Sequence, residues 1–507
     1  MKLNQLLITI LFLINWTLKA QPGTLDKSYG NNGKASILNS NSYDIAKGMA
    51  LQKDGKPVLV GYAADDIMLS RFTTDGYADS TFGNNGIVIT DVNNGSAENA
   101  NAVAIQTDGK IVVCGSDFNN NNRNFVLLRY LPNGNLDNTF SGDGKLITKL
   151  SAGLSEPLAI ALQTDGKILA AGYSEGKFAI LRYTTKGLLD SSFSKDGIVI
   201  TAPDSGIATA YSVQVLRDGK ILLAGYVEFN NQSDAMLVKY HADGRPDSSF
   251  GRYGKVVADL GATDRIYSSL IQLDDKILVA GTVYNSEFNI GIARFTSSGA
   301  LDTSFSQDGI TTVTYGKNHS SKAMALSQQP DGKIVIAGSD FFSGYDFALV
   351  RLDTRGLPDN TFGTNGKVSS NFGNINVDEA IGVAILPDGK ILVGGDSDGD
   401  IICARYISGL KLNIQDKKIT KEFSIYPNPC SGNTTITFNN PKSNKVSIEI
   451  LDSQGKLVAS LISNQVQTKG IHQVNIQLPE NLPSGIYSLQ LLTDTERYSR
   501  KLVLVQD

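Results

Sequence analysis

The chain has 507 residues, 50 of them Gly and 14 Pro, with a formal net charge of −4 and no cluster of Lys or Arg. That balance argues against a nucleic-acid partner, which needs a basic patch. Three cysteines, Cys114, Cys403 and Cys430, are too few and too scattered for a disulfide framework and read as small apolar groups packed singly.

Residues 1–20 read as a secretory signal peptide. Lys2 supplies the positive start, residues 6–18 the apolar core, and Leu18-Lys19-Ala20 a small-residue end, with cleavage expected before Gln21. The run is short for a membrane helix and no other segment approaches that length, so no transmembrane span is expected. No Cys near the cleavage point offers a lipid anchor. The expected location is extracellular or on the outer cell surface.

From residue 21 to 408 the chain repeats. The pattern Asp-x-[Ser/Thr]-aromatic begins at Asp26, Asp79, Asp137, Asp190, Asp247, Asp302 and Asp359. A turn of Asp-Gly-Lys type follows each copy, its first Asp at 54, 108, 165, 218, 274, 331 and 388. Each unit holds four short apolar segments, here called a, b, c and d. In the second unit they are residues 87–90, 100–106, 110–116 and 125–131. Their β-branched and aromatic content, bounded by Gly, Asn and Asp, predicts strands. No long 3.6-residue period predicts a helix. Asp-Gly between b and c predicts a tight hairpin with both central residues at positive φ. The fifth copy has Asp274-Asp275 there, which Asp tolerates at a cost.

Spacing is more informative than identity. From the turn Asp to the Gly ending segment c (Gly61, Gly115, Gly172, Gly225, Gly281, Gly338, Gly395) is seven residues in every copy. From the basic residue of segment d to the Gly before the next a is 15 residues, as from Arg71 to Gly86. The c–d connection instead runs from 10 to 14 residues between that Gly and the basic residue, and the a–b stretch also varies. In an antiparallel meander, fixed b–c and d–a links then share one face and variable a–b and c–d loops the other. Variable loops on a rigid scaffold are where binding is expected.

Seven four-stranded units need neighbours to bury both faces, and radial closure satisfies them all. An open solenoid would need atypical end units, and the first and seventh resemble the middle ones. The expected fold is all-β: a seven-bladed β-propeller of four-stranded blades, followed by a small C-terminal Ig-like β-sandwich. Small residues in segment b (Ala100, Ala102, Ala104, Ala159, Ala161, Ala323, Ala325) suit the crowded axis, and the more polar segment a suits the outer edge. The blade order is then b, c, d, a, and residues 34–38 complete the last blade. The Asp-x-[Ser/Thr] motif reads as a turn that bonds nearby amides. Its aromatic plugs between blades. The basic residue (Arg71, Arg129, Arg182, Lys239, Arg294, Arg351, Arg405) pairs with a carboxylate or carbonyls.

The recurring Leu-Asp-x-Ser-Phe-Gly-x-x-Gly, Gln-x-Asp-Gly-Lys-Ile-x-x-x-Gly and Phe-x-x-x-Arg-Tyr strings resemble the bacterial delta-60 repeat. That resemblance implies a β-propeller and brings no catalytic residues with it.

Residues 409–422 read as a linker. The tail, 423–507, opens with Tyr426-Pro427-Asn428-Pro429 and continues through expected strands at 434–438, 446–451, 472–478, 486–492 and 499–505. With Gly485-Ile486-Tyr487 and Lys501-Leu502-Val503, it resembles the C-terminal sorting domain of the type IX secretion system. The resemblance implies outer-membrane passage in a Bacteroidetes-like bacterium, with the type IX machinery as partner, then release or surface attachment. An ordinary carbohydrate-binding or adhesion sandwich is the alternative.

Signals for chemistry are sparse. His241, His319 and His472 lie far apart and lack metal-ligand spacing. Gly172-Tyr173-Ser174-Glu175-Gly176 matches a nucleophile-elbow string but falls between two strands, where that turn does not form. Asp396-Ser397-Asp398-Gly399-Asp400 offers three carboxylates for calcium, short of a full ligand set, and reads better as a solvated hairpin. Residues 119–124 and 341–345 carry amides and aromatics suited to sugar or protein contact. No catalytic, cofactor-binding or metal residue is assigned, and no cofactor is expected. The leading function is a non-catalytic binding or scaffold module for an extracellular glycan or protein. A polysaccharide-active lyase or glycosidase and a purely structural surface protein are the alternatives.

Overall fold

The computed structural model describes residues 20–38, 44–93, 95–119, 122–150, 153–373, 377–410, 423–428, 430–440, 443–451, 457–479, 482, 484–493 and 497–505. The expected signal peptide, apart from Ala20, and the expected linker from 411 lie outside them. Two compact units result, Met1–Leu410 and Lys411–Asp507.

In the first unit the strands form seven four-stranded antiparallel sheets, and no helix occurs among the described residues. Sheet 1 is Asp44–Leu51, Pro57–Ala63, Asp66–Arg71 and Ile87–Thr90, in that order, which is b–c–d–a. Sheets 2 to 6 repeat it. Sheet 7 takes Asp378–Ile385, Ile391–Ser397 and Asp400–Tyr406 and finishes with Lys34–Ile37, paired as Lys34↔Ala404 through Ile37↔Ile401. The first strand of the chain therefore completes the last sheet, as the order b–c–d–a requires. Each b strand touches the b strand of the next sheet, and that of sheet 7 touches that of sheet 1, so the ring closes around them. Apolar side chains of c and d strands fill the seams between sheets, as Leu169, Phe178, Leu223 and Met236 do between sheets 3 and 4.

The b–c turn departs from expectation. Only its Gly has positive φ (Gly55 +86°, Gly109 +85°), with Asp275 at +61° in the fifth copy. The Asp instead accepts a bond from the backbone N–H of the turn Lys, as Asp54 Oδ1 does from Lys56 at 3.2 Å. One left-handed residue suffices, because Gln52 N–H bonds Lys56 O and Gly55 N–H bonds Gln52 O across a wider loop. The turn with two positive φ values sits on the opposite face, between c and d, at Glu175-Gly176, Asn230-Asn231 and Asp398-Gly399.

Both repeated motifs meet in one latch. Arg71 Nε donates to Asp79 Oδ2 at 2.8 Å, Nη2 to Thr81 Oγ1 at 3.1 Å, and Nη1 to Pro132 O of the next sheet's d–a link. Its guanidinium stacks 4.4 Å from the ring centre of buried Phe82. Lys56 of the Asp-Gly-Lys turn reaches the same Asp79 oxygen at 2.8 Å. The pattern recurs around the ring, with Lys239 standing in for Arg in sheet 4, 3.9 Å from Asp247. At closure Arg405 binds Asp26, 379 positions away in sequence, and Thr74 O of sheet 1. Burial raises the motif carboxylates, but the bonds from Ser/Thr, Lys and Arg outweigh it and hold Asp26, Asp190, Asp247 and Asp302 at about 2. The fixed 15-residue spacing also has a cause: Arg71 N–H bonds Gly86 O, and the other basic residues bond their own Gly in the same way.

The second unit holds a three-stranded sheet (Phe423–Tyr426, Asn433–Asn440, Gly470–Gln477) and a four-stranded sheet (Leu457–Gln467, Asn444–Leu451, Gly485–Thr493, Arg497–Leu504). Ile436, Phe438, Ile448, Ile450, Leu489 and Leu502 fill the space between them. Leu457–Gln467 was not among the expected strands. It is a mostly exposed edge strand and lacks the apolar alternation that betrays its neighbours.

Candidate functional site

Every b strand carries a register shift opposite the c-strand Gly, for example between Pro157 and Ala159 and between Ala210 and Ser212. The cause is steric. A Cβ on Gly172 would sit 1.9 Å from Glu156 O, and one on Gly225 2.0 Å from Thr209 O. The strands touch there, and one extra residue is squeezed out of the ladder. That residue is Lys47, Asn101, Leu158, Tyr211, Tyr267, Met324 and Ile381 in sheets 1 to 7. It stands on the innermost strand and is at least partly accessible in each sheet. Here the repeat breaks down: seven equivalent positions carry six residue types.

Around these bulges polar side chains converge. Glu156, 4% exposed, receives five donors from two sheets. Asn101 Nδ2 (2.9 Å), Asn99 Nδ2 (3.3 Å) and Ser116 Oγ (3.2 Å) bind Oε1. Arg123 Nη1 (2.5 Å) and Tyr173 Oη (3.0 Å) bind Oε2. Burial raises the Glu156 carboxyl, yet Asn101 and Arg123 prevail and hold it below its ordinary value. The Tyr173 phenol is pushed up to about 12, by burial first and then by the Glu156 charge.

Next around the axis stand three tyrosines. Tyr211 stacks on Tyr226 at 5.7 Å and meets Tyr267 edge-on at 5.1 Å. Arg265 lies over Tyr226 at 5.4 Å and pairs with Glu228 at 3.3 Å. Burial raises the Tyr211 phenol, and its neighbours Tyr226 and Tyr267 add to that. The b strands of neighbouring sheets touch, so sheets 2 to 5 supply an arc of amides, aromatic faces, two carboxylates and two guanidiniums.

Sheets 6, 7 and 1 supply a different group. Glu379 pairs across strands with Asp396 and binds Lys322 at 2.7 Å. Asp396 is buried and accepts Ala46 N–H at 3.3 Å. Burial, then the Glu379 charge, pushes Asp396 up to about 7.

The residues singled out in the sequence fare variously. Ser174 of the elbow string ends a c strand before the Glu175-Gly176 turn, and its Oγ lies 2.8 Å from Ser155 Oγ, so the string is a hairpin. The carboxylates of Asp396, Asp398 and Asp400 do not gather; among the described residues the acidic triplets lie elsewhere. His319 Nδ1 lies 2.7 Å from Asp340, which Ser321 Oγ also binds, so no Ser–His pair forms. His241 lies near Asp247, and His472 stacks on Phe438 in the second unit. Asn119 and Asn122 pair at the end of a c–d hairpin whose residues 120 and 121 lie outside the described residues, and Phe341 and Tyr345 pair at the end of another. Glu156, Arg123, Tyr173 and Tyr211 were not singled out. Glu156 and Tyr211 lie in segment b at positions where the repeats disagree, whereas Tyr173 follows the c-strand Gly and Arg123 lies on a d strand, where nothing in the repeat marks them.

The first unit is a β-propeller fold, and its arc is built on the innermost strands and on the neighbouring c and d strands. Residues 106–140, 163–193, 216–250, 272–305 and 329–362 match the domain of unknown function (DUF5122) beta-propeller, and residues 424–506 match the secretion system C-terminal sorting domain. The first unit thus carries five stretches that match the DUF5122 β-propeller, and the tail matches a secretion-system sorting domain. No curated protein matches it by sequence. Among solved structures it resembles virginiamycin B lyase from Staphylococcus aureus (12% identity, TM-score 0.47, covering 74% of this chain and 98% of that one). It also resembles polysaccharide lyase Uly1 (11%, 0.39, 75% and 93%) and a Trichoderma reesei enzyme of Carbohydrate-Active Enzymes Family AA12 (11%, 0.33, 76% and 97%). At such identities and scores these likenesses carry no argument about activity.

Proposed function

We propose that the chain is exported by type IX secretion after removal of residues 1–20. It then acts at the cell surface or beyond as a seven-bladed, non-catalytic binding propeller. Residues 423–507, read as an Ig-like sandwich, address it to that machinery, and 21–408 hold a polyhydroxylated ligand such as a glycan. One observation carries this reading: in an otherwise repeated scaffold, sheets 2 to 4 gather Asn99, Asn101, Glu156, Arg123, Tyr173 and Tyr211 at and beside their axial bulges. Aromatic faces take the apolar side of a sugar ring, and amides and charges take its hydroxyls. The protonation states favour binding over chemistry. A general base works best with a pKa near the operating pH. Glu156 is held below that range, and Tyr173 well above it.

The test is retention of the mature chain on a panel of immobilised polysaccharides, with released products measured in parallel. Wild type should be retained on one class without products, and Glu156→Gln and Tyr211→Ala should lose retention. Retention unchanged in both variants would sink the assignment of the arc. A polysaccharide-active enzyme is the second reading, favoured by the Asp396–Glu379 pair, where Asp396 sits at about 7. Products that disappear in Asp396→Asn would establish it in place of the first.

A further inference from the structure

A second site lies away from the axis, where the d strand and a strand of one sheet meet the b strand of the next. At each such seam three positions recur. Between sheets 4 and 5 they are Asp234, Asp259 and Asp264, with one carboxylate oxygen from each lying within 4.8 Å of the others. Asp264 is wholly buried. Leu260 N–H donates to its Oδ2, while Oδ1 has no hydrogen-bond partner. Gly261 N–H holds Asp259 Oδ1 at 3.0 Å, which folds the short loop so that both carboxylates stay together. No Lys or Arg among the described residues pairs with any of the three. A buried oxygen without a donor, among like charges and without a counter-charge, is costly unless something else neutralises it.

The lone buried oxygen recurs at Asp378 Oδ1 between sheets 6 and 7, but the other seams relieve the charge around it. Between sheets 6 and 7 the three are Asp346, Asn371 and Asp378, and Asn371 Nδ2 donates to Asp346 Oδ1 at 2.8 Å. A lysine beginning the a strand also caps the seam loop in several sheets: Lys255 on Ala202 O (2.8 Å), Lys367 on Thr314 O (2.7 Å), Lys34 on Phe372 O (2.8 Å). In sheet 5 that position is Ile310. The seam between sheets 1 and 2 also gathers three acids, Asp66, Asp91 and Glu98. There Glu98 is already bound by Val92 N–H, Asn93 N–H and Ser96 Oγ. The seam between sheets 4 and 5 therefore combines three carboxylates, an unpartnered buried oxygen and no amide or lysine substitute.

The geometry points to a divalent-cation site of the calcium class at Asp234, Asp259 and Asp264. An all-oxygen, carboxylate set selects hard cations over zinc or copper. Calcium–oxygen bonds of about 2.3–2.6 Å put opposite ligands about 4.6–5.2 Å apart, which accommodates the observed spread, whereas magnesium would draw them closer. Bound metal would tie the a strand of sheet 4 to the b strand of sheet 5.

Thermal unfolding of the full mature chain in excess calcium, in magnesium and in EDTA tests the site. Calcium should raise Tm by roughly 2–4 °C over EDTA, and magnesium by less. Asp264→Asn and Asp259→Asn should each abolish the calcium increment while leaving Tm in EDTA unchanged or higher, since one of three like charges is gone. A purely structural aspartate would lower Tm under both conditions. Should Asp264→Asn fail to fold, the exposed Asp259→Asn carries the test alone. Asp91→Asn, at the other seam, should keep the increment. Absence of a calcium increment in wild type, its survival in Asp259→Asn, or its loss in Asp91→Asn alone would overturn the assignment.

Discussion

The latch and the axial bulge occupy the same sheets, yet they obey opposite rules. At the latch, seven copies place Arg or Lys, Asp, Ser or Thr and an aromatic in nearly one geometry, because each side chain completes a buried hydrogen-bond set. At the bulge the backbone is just as regular, but the side chain leaves the ladder, and its neighbours differ from sheet to sheet, as Tyr211 on Tyr226 and Ile381 against an apolar cluster show. Regular backbone with irregular side chains marks the surface a scaffold makes available.

That comparison can be broken most severely at the strand contact beneath the bulge. Gly338→Ala puts a methyl 1.9 Å from Lys322 O, a backbone atom with no room to retreat. A loss of about 3 kcal/mol or more in a urea melt is expected. A loss below about 1 kcal/mol would show that the strands can part there.

Removing the closing cation comes next. Arg405→Ala leaves buried Asp26 with Lys390 as its remaining counter-charge, also loses the bond to Thr74 O, and should cost about 2 kcal/mol. Arg405→Lys should recover much of it, because Lys239 serves sheet 4. Equal melts for the two variants would mean that the guanidinium fork, rather than the charge, is what the latch needs.

Acid should separate latch from axis by sign. Asp26, Asp190, Asp247 and Asp302 fold at about 2 against an ordinary 3.8, so their stabilisation is present above roughly pH 4 and is lost as pH falls towards 2. Asp396 folds at about 7, so the folded chain retains a proton that the unfolded chain releases, and its contribution to stability falls as pH rises from about 4 to 7. Urea midpoints from pH 2 to 8 should therefore show both slopes, and Asp396→Asn should flatten only the upper one.

The smallest effect on folding belongs to the arc. Tyr267→Phe removes one hydroxyl beside Tyr211 and should shift stability by no more than about 0.5 kcal/mol, while weakening ligand retention. A large stability loss would make the arc part of the packing and blur the contrast drawn here.

Much of the fold was legible in the chain, and the misreadings are instructive. Seven equal distances from turn Asp to c-strand Gly reflect one steric contact, the Gly against the b-strand carbonyl. Asp-Gly was taken for a turn with two left-handed residues, whereas Asp caps the Lys amide and only Gly is left-handed; composition does not separate these turns. In the tail, Leu457–Gln467 escaped notice because an exposed edge strand needs no alternation.

Residue order alone set the number of units, their strand order and the return of the first strand to the last sheet, since fixed spacings follow from backbone bonds and contacts that any copy must make. Which side chains meet was decided by the ring. Glu156 and Arg123 lie 33 positions apart in neighbouring sheets, and Asp234 joins Asp264 only across a seam. Such meetings depend on the closure of neighbouring sheets and on a bulge that turns one residue inward. Neither leaves a periodic trace along the chain.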